Sequence, residues 1–162
     1  RSRGLGDVYK RQIQRGEALP EGTYHLAVGI AVFNTKGDIL LTQRAQVKSQ
    51  YPGCWEIPGG CAQAGETSLE AACRELREET GAVPDVLLPL GVILPSPGCY
   101  GEHLHLFLAR ELKMGQQQPD EDEFLRTERI PFQEMVHRVM NGEIEDAKTV
   151  AAVLKAKVLL DL

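Results

Sequence analysis

Cysteine is sparse and unpatterned in this chain. Cys54, Cys61, Cys73 and Cys99 are its four, none belongs to a C-x-x-C pair, and their spacing suits neither a disulfide framework nor a zinc site. Reduced, mostly buried thiols are expected. Also lacking is any apolar run near the roughly 20 residues that span a bilayer. The N-terminus does not show the ordered basic, apolar and small-residue regions of a secretory signal. The expectation is a cytoplasmic protein with no membrane partner. There is no basic excess: 18 Lys plus Arg stand against 23 Asp plus Glu, a formal charge of −5. That balance argues against a general nucleic-acid binder held by a phosphate-seeking face. Internal repeats and low-complexity segments are absent. What remains is an ordinary globular composition, 43% hydrophobic and 25% charged over 162 residues, enough for one domain with a real core.

Residues 1–22 are expected to be a flexible N-terminal tail, and residues 23–162 a single domain. Part of the tail, Arg3 to Gln12, resembles a translated sequencing-adapter artefact, which would make that part non-native. From His25 the pattern turns to strands. His25 to Phe33 is rich in Val, Ile and Ala, the turn residues Asn34 to Asp38 follow, and Ile39 to Gln43 forms the return arm of a hairpin. Trp55 to Ile57 reads as a short strand stopped by Pro58-Gly59-Gly60. Val86 to Leu94 and His103 to Arg110 read as further strands around the turn Pro95 to Gly98, and Phe124 to Ile130 as another. Pro131 to Met140 is a helix opened by proline in its first turn. Asp146 to Leu160 is an amphipathic helix with Val150, Val153, Leu154 and Leu159 on its apolar side. His103 and His105 alternate along one strand and read as ordinary strand residues.

The helix Thr67 to Thr80 has both ends written into it. Thr67 caps it, Glu70 three residues later completes a capping box, and Gly81 supplies a left-handed stop. At about 100° per residue, Leu69, Ala72, Cys73 and Leu76 share the expected core face. Glu75, Glu78 and Glu79 cluster on an adjacent face, where they repel one another and oppose the helix dipole at its C-terminal turn. A divalent cation would reverse both penalties. Oxygen donors without nearby Cys or His suit magnesium or manganese and disfavour zinc. Arg74 stands four residues before Glu78 and pairs with it by spacing. Gly59 and Gly60, ahead of the helix, let the backbone pass close to a ligand or metal.

A Glu-rich stretch is commonly a solvated helical face. Here the spacing says otherwise. Gly60, five residues, Glu66, seven residues, Arg74-Glu75-Leu76, one residue, Glu78-Glu79, one residue and Gly81 reproduce the signature of the Nudix hydrolases. Chance would place these fixed residues together on the order of once in 10⁸ starts. The one departure is the closing aliphatic position, held by Ala82 with Val83 behind it. The chain thus resembles a Nudix hydrolase. The resemblance implies an α/β fold, an α/β/α sandwich with a mixed β-sheet, and Mg2+-dependent (or Mn2+-dependent) hydrolysis of a nucleoside diphosphate linked to another moiety. It implies Glu75 and Glu79 as principal metal ligands, Glu78 assisting, and a contribution from the Gly59 carbonyl. Glu66 would hold the loop or an outer water shell, with Gly60, Arg74 and Gly81 supporting the motif. Ions would neutralise pyrophosphate charge and orient a water for in-line attack, with a carboxylate taking its proton.

Downstream, Pro95 to Gly98, Glu102, Phe107 to Ala109, Asp120 to Phe124 and Gly142 to Thr149 are similar to the ADP-ribose pyrophosphatase branch, whose marker proline corresponds to Pro97, fifteen residues after Ala82. That likeness implies ADP-ribose or a related nucleoside diphosphate sugar as the small-molecule partner, cleaved to AMP and a sugar phosphate. It places Glu121 as general base with Glu123 as second choice, an alternative role in catalysis for Glu78, and a homodimer as the assembly to test. Arg44 would contact the diphosphate, and Glu56, Pro97, Gly98 and Glu102 would line the substrate site. Few residues precede His25, where such hydrolases usually carry an N-terminal sheet that serves dimerisation and adenine binding. Arg15-Gly16, Leu19 to Gly22, Tyr24 to Leu26, Gln43-Arg44 and Trp55-Glu56 instead resemble the isopentenyl-diphosphate-isomerase-like branch. The alternatives are therefore a Nudix pyrophosphatase for oxidised nucleoside triphosphates or an isoprenoid-type diphosphate, and a non-catalytic nucleotide sensor. Trp55 and Tyr100 are candidate base-stacking residues.

Overall fold

Strand β1 (His25–Phe33) is buried almost throughout, because both faces of its strand are covered. A computed structural model describes residues 23–117 and 126–161 of the chain. The elements run β1, β2 (Asp38–Gln43), β3 (Trp55–Glu56), β4 (Gly59–Cys61), α1 (Ser68–Thr80), β5 (Ala82–Ile93), β6 (Glu102–Met114), β7 (Arg126–Pro131), α2 (Phe132–Met140) and α3 (Ala147–Leu160). Among the described residues the strands form a mixed sheet of seven, in which β1 and β6 are parallel and the other pairs are antiparallel.

Alternation along β1 builds two cores. Ala27, Ala31 and Phe33 meet Ile39, Leu41, Leu106, Met135 and Val153 on the α2/α3 side. Leu26, Val28, Ile30 and Val32 meet Ala71, Ala72 and Leu76 of α1 on the other. The result is the α/β/α sandwich that the resemblance implies. Each large side chain so enclosed contributes about 1.5–3 kcal/mol of hydrophobic stabilisation. None of the described helices is long and apolar enough to cross a membrane.

Several details differ from the sequence reading. The β1–β2 pairing is confined to Val32 with Leu40 and Phe33 with Ile39. Farther back, β1 pairs with β4, so Gly59 and Gly60 belong to a strand of the sheet and do not merely end one. Strands β5 and β6 extend beyond the expected limits because they pair with each other over almost their full length. Pro131 is the N-cap of α2, outside its first turn, and residues 124 and 125 of the expected strand lie outside the described residues. Residues 1–22 do as well.

Helix α1 carries its capping box, and Gly81 closes it at φ 71° with its N–H donating to the Arg77 carbonyl. Its buried face, however, is turned from the expected one. Ala71 is fully buried while Leu69 is 49% exposed and Cys73 is exposed. Two adjacent alanines let the helix approach the sheet closely, and that approach carries Leu69 and Cys73 to the flank. The thiols also differ from expectation: Cys54 is half-buried, and Cys61, Cys73 and Cys99 are exposed. In α3 the buried residues are Thr149, Ala152, Val153 and Ala156, whereas Leu154 and Leu159 face outward and Val150 is only partly covered. Small residues again mark the face that the sheet admits.

Candidate active site

In the last two turns of α1, the acidic cluster is organised around Arg74, whose side chain is largely covered. Its Nε donates to Glu66 Oε1 at 2.7 Å and its Nη2 to Glu66 Oε2 at 3.0 Å, a two-pronged pairing. Its Nη1 donates to Glu75 Oε1 at 2.8 Å and Glu78 Oε2 at 3.0 Å, and its Nη2 also reaches the Cys61 carbonyl at 3.0 Å. The Glu66 hydrogen bonds, with help from Glu75 and Glu78, outweigh burial and hold the guanidinium charged well above its ordinary range. Reciprocally, Arg74 holds the Glu66 carboxyl below the usual carboxylate range, against a smaller opposing effect of burial and with help from the Gln63 N–H. Glu66 Oε2 accepts from that N–H at 2.7 Å, so one side chain ties the Gln63–Glu66 turn to the helix.

Gly59 and Gly60 lie directly against this cluster. A Cβ on Gly60 would fall 2.6 Å from Glu75 Oε1, and one on Gly59 would fall 2.2 Å from the Val28 carbonyl oxygen. No other residue fits either position without displacement. The Gly59 N–H donates to Glu79 Oε2 at 3.3 Å, and Glu79 is 7% exposed. Glu75 and Glu79 thus reach the β4 backbone, while Glu78 turns toward Arg74.

On the other side of these glycines opens a cleft in two lobes of about 640 and 280 Å³. Arg44, Glu56, Glu102, Asp146 and Lys148 line both lobes, and Gly59 and Gly60 line the smaller. Strands β2 and β3 set Arg44 beside Glu56, with Arg44 Nη1 3.3 Å from Glu56 Oε1. Lys148 Nζ donates to the other oxygen of Glu56 and lies 3.1 Å from Asp146 Oδ1. Burial alone would lower the Lys148 ammonium, but Glu56 and then Asp146 outweigh it and raise its pKa. Burial raises the Glu102 carboxyl above its ordinary range, partly offset by His25 and Lys148. Thr149 fixes the arrangement: its hydroxyl accepts from the Ile57 N–H at 2.9 Å and donates to Asp146, the N-cap of α3.

The structure therefore brings together Arg44, Glu56, Gly59, Gly60 and Glu102 from the expected set, with Glu75 and Glu79 behind the glycines. Pro97 and Gly98 sit exposed on the β5–β6 turn; Pro95, two residues earlier, is the turn residue that lines the smaller lobe. Glu121 and Glu123 lie outside the described residues. Trp55 is packed against the core with Arg126 5.9 Å over its ring, and Tyr100 is exposed. His103 stacks on Tyr24 at 3.6 Å. Asp146 and Lys148 carry no individual role in the sequence reading. A signal was present, since a lysine in the first turn of a helix opposes the dipole and calls for carboxylate partners.

A family model of the NUDIX domain matches residues 23–153. The chain belongs to the Nudix hydrolase family. It is 33% identical over 129 residues to the ADP-ribose pyrophosphatase of Bacillus subtilis, covering 78% of this chain and 69% of that one. It is 42% identical over 73 residues to an uncharacterized Nudix hydrolase of Listeria innocua, covering 44% of this chain but 43% of the relative, less than half its length. The crystal structure of an ADP compounds hydrolase shares the fold, with a TM-score of 0.76 at 24% identity over 86% of this chain and 74% of that one.

Proposed function

We propose that this protein hydrolyses the pyrophosphate bond of ADP-ribose or a related nucleoside diphosphate sugar, giving AMP and a sugar phosphate, with Mg2+ or Mn2+ as cofactor. The observation that carries the reading is that Gly59 and Gly60, which line the cation-bearing cleft, also lie against Glu79 and Glu75 of the all-oxygen acidic cluster. The relationship to the B. subtilis enzyme supports ADP-ribose as the first substrate to test.

The donor set fits a hard divalent ion. Glu75 and Glu79, with Glu78 and the Gly59 carbonyl, supply oxygen only, and the missing Cβ of Gly60 leaves the Glu75 carboxylate seated at the backbone. Among the described residues no three His, Cys, Asp or Glu side chains are placed to hold an ion by themselves, so the Gly59 carbonyl and waters would complete the set. Arg74 is the chain's own counter-ion to Glu75 and Glu78. When bound, the metal neutralises pyrophosphate charge and acidifies a water.

The protein's own groups do the rest. Arg44 and Lys148 bind the diphosphate, and Glu56, held by one cation on each oxygen, fixes their separation and orientation. Glu102, less acidic than an ordinary glutamate, lines the same cleft and is assigned to hydrogen-bond a substrate hydroxyl. Glu121 is assigned as general base by resemblance, with Glu123 and then Glu78 as the alternatives.

The test is phosphate release in a phosphatase-coupled assay with Mg2+, over a panel of ADP-ribose, other nucleoside diphosphate sugars, deoxynucleoside triphosphates and isopentenyl diphosphate. Preferential conversion of ADP-ribose to AMP is expected, and it should vanish in Glu79→Gln with the fold retained. Preference for triphosphates or for the isoprenoid diphosphate overturns the substrate assignment. Full activity of Glu79→Gln overturns the metal assignment.

A further inference from the structure

The loop between β2 and β3 holds one residue in a conformation that packing does not explain. Tyr51 takes φ 49°, in the left-handed region that side chains other than glycine enter at a cost. It also precedes Pro52, and the residue before a proline has a narrowed choice of backbone conformations. The ring gains little burial in return, being 77% exposed. Strain retained at an exposed position points to function.

The loop is built to keep it there. The Arg44 N–H donates to the Cys54 carbonyl and the Gly53 N–H to the Arg44 carbonyl, each at 3.0 Å, and the Cys54 N–H donates to the Tyr51 carbonyl at 3.3 Å. The Gln43 side-chain amide donates to the Gly53 carbonyl at 2.9 Å. Arg44 Nε reaches the Gln50 carbonyl at 3.3 Å, so the guanidinium that pairs with Glu56 also anchors the residue before Tyr51. Among the described residues that line the cleft, Tyr51 is the one aromatic. Trp55 is committed to the core, and Tyr100 is not on the cleft lining.

We infer that Tyr51 is the platform on which the nucleobase of the substrate stacks, so that the loop from Ala45 to Gly53 sets the preference for nucleoside over base-free diphosphates. This rests on the nucleoside-diphosphate reading above. A solvent-facing aromatic ring on an anchored backbone gains from a planar base laid on it, and it does so with any base because every base has a π-face. Arg44 and Lys148, in the same cleft, take the phosphates of the same ligand.

The experiment compares ADP with inorganic pyrophosphate, which lacks the base, by titration calorimetry in Mg2+, using wild type, Tyr51→Asn and Tyr51→Phe. Asparagine tolerates the left-handed region and has no ring, so Tyr51→Asn should keep the wild-type melting temperature. It is expected to weaken ADP by about 10-fold or more, with a matching rise in KM for ADP-ribose, and to leave pyrophosphate affinity unchanged. Tyr51→Phe should keep wild-type affinity for both. Equal weakening of both ligands in Tyr51→Asn, no weakening of either, or no binding of ADP by the wild type overturns the assignment. Absence of ADP-ribose turnover by a wild type that binds ADP refutes the proposed reaction alone, and the ligand comparison still decides the role of Tyr51.

Discussion

Replacing Arg74 with alanine tests the organisation of the acidic cluster most directly. The guanidinium satisfies both oxygens of Glu66, one of Glu75, one of Glu78 and the Cys61 carbonyl, with 14% of its side chain exposed. Charged hydrogen bonds contribute about 1.5–3 kcal/mol each, but they share one side chain and do not add. The better guide is the cost of removing one partner from a largely covered ion pair, about 3–5 kcal/mol. In a chain of this size that corresponds to a fall of roughly 6–20 °C in melting temperature. The loss should be recovered in part by Mg2+, because a divalent cation then relieves the exposed repulsion among Glu66, Glu75 and Glu78. Urea denaturation of wild type and Arg74→Ala, each with and without Mg2+, measures both effects. Arg74→Lys should fall between them, since a single ammonium cannot span carboxylates that the planar fork reaches at once. A loss below about 1 kcal/mol in metal-free buffer, the level of an exposed ion pair, refutes the reasoning. So does an equal Mg2+ increment in wild type and variant.

Three further predictions concern neighbouring groups. Gly60→Ala places a Cβ 2.6 Å from Glu75 Oε1, so Glu75 must move; turnover should fall by at least about 10-fold, with about 1–3 kcal/mol lost in urea melts. Lys148→Met leaves Glu56 and Asp146 without their shared cation; about 3 kcal/mol of stability should be lost, and KM for a diphosphate substrate should rise more than kcat falls. The Glu66 carboxyl is lowered on folding, so its stabilisation is complete above the ordinary glutamate value of 4.5 and is lost as pH falls through the lower folded value. The stability gap between wild type and Glu66→Gln, measured by urea melts from pH 7 to pH 3, should therefore narrow only below about pH 4.5; a gap that is constant over this range contradicts the Arg74 pairing.

Local signals fared differently from distant ones. The capping box of Thr67 and Glu70, the left-handed Gly81 and the Arg74–Glu78 pair each depend on residues within four positions of one another, and spacing alone disclosed them. The core face of α1 was harder. Helical periodicity groups Leu69 with Leu76, but it does not say how the helix rolls on a sheet, and Ala71 with Ala72 permitted the closer approach. The same rule buried Ala152 and Ala156 in α3 and turned Leu159 out.

The site divides along the same line. By itself the sequence determined the signature glycines and glutamates, the α/β alternation and the membership that follows from them, because each is written in short-range order. Only the tertiary structure decided that Lys148 meets Glu56 across 92 residues, that Gly60 lies against Glu75, and that Tyr51 stands in the cleft beside Arg44. Those contacts arise when the β1–β6 pairing and the packing of α3 close the sandwich, and no local propensity encodes how far-separated segments meet.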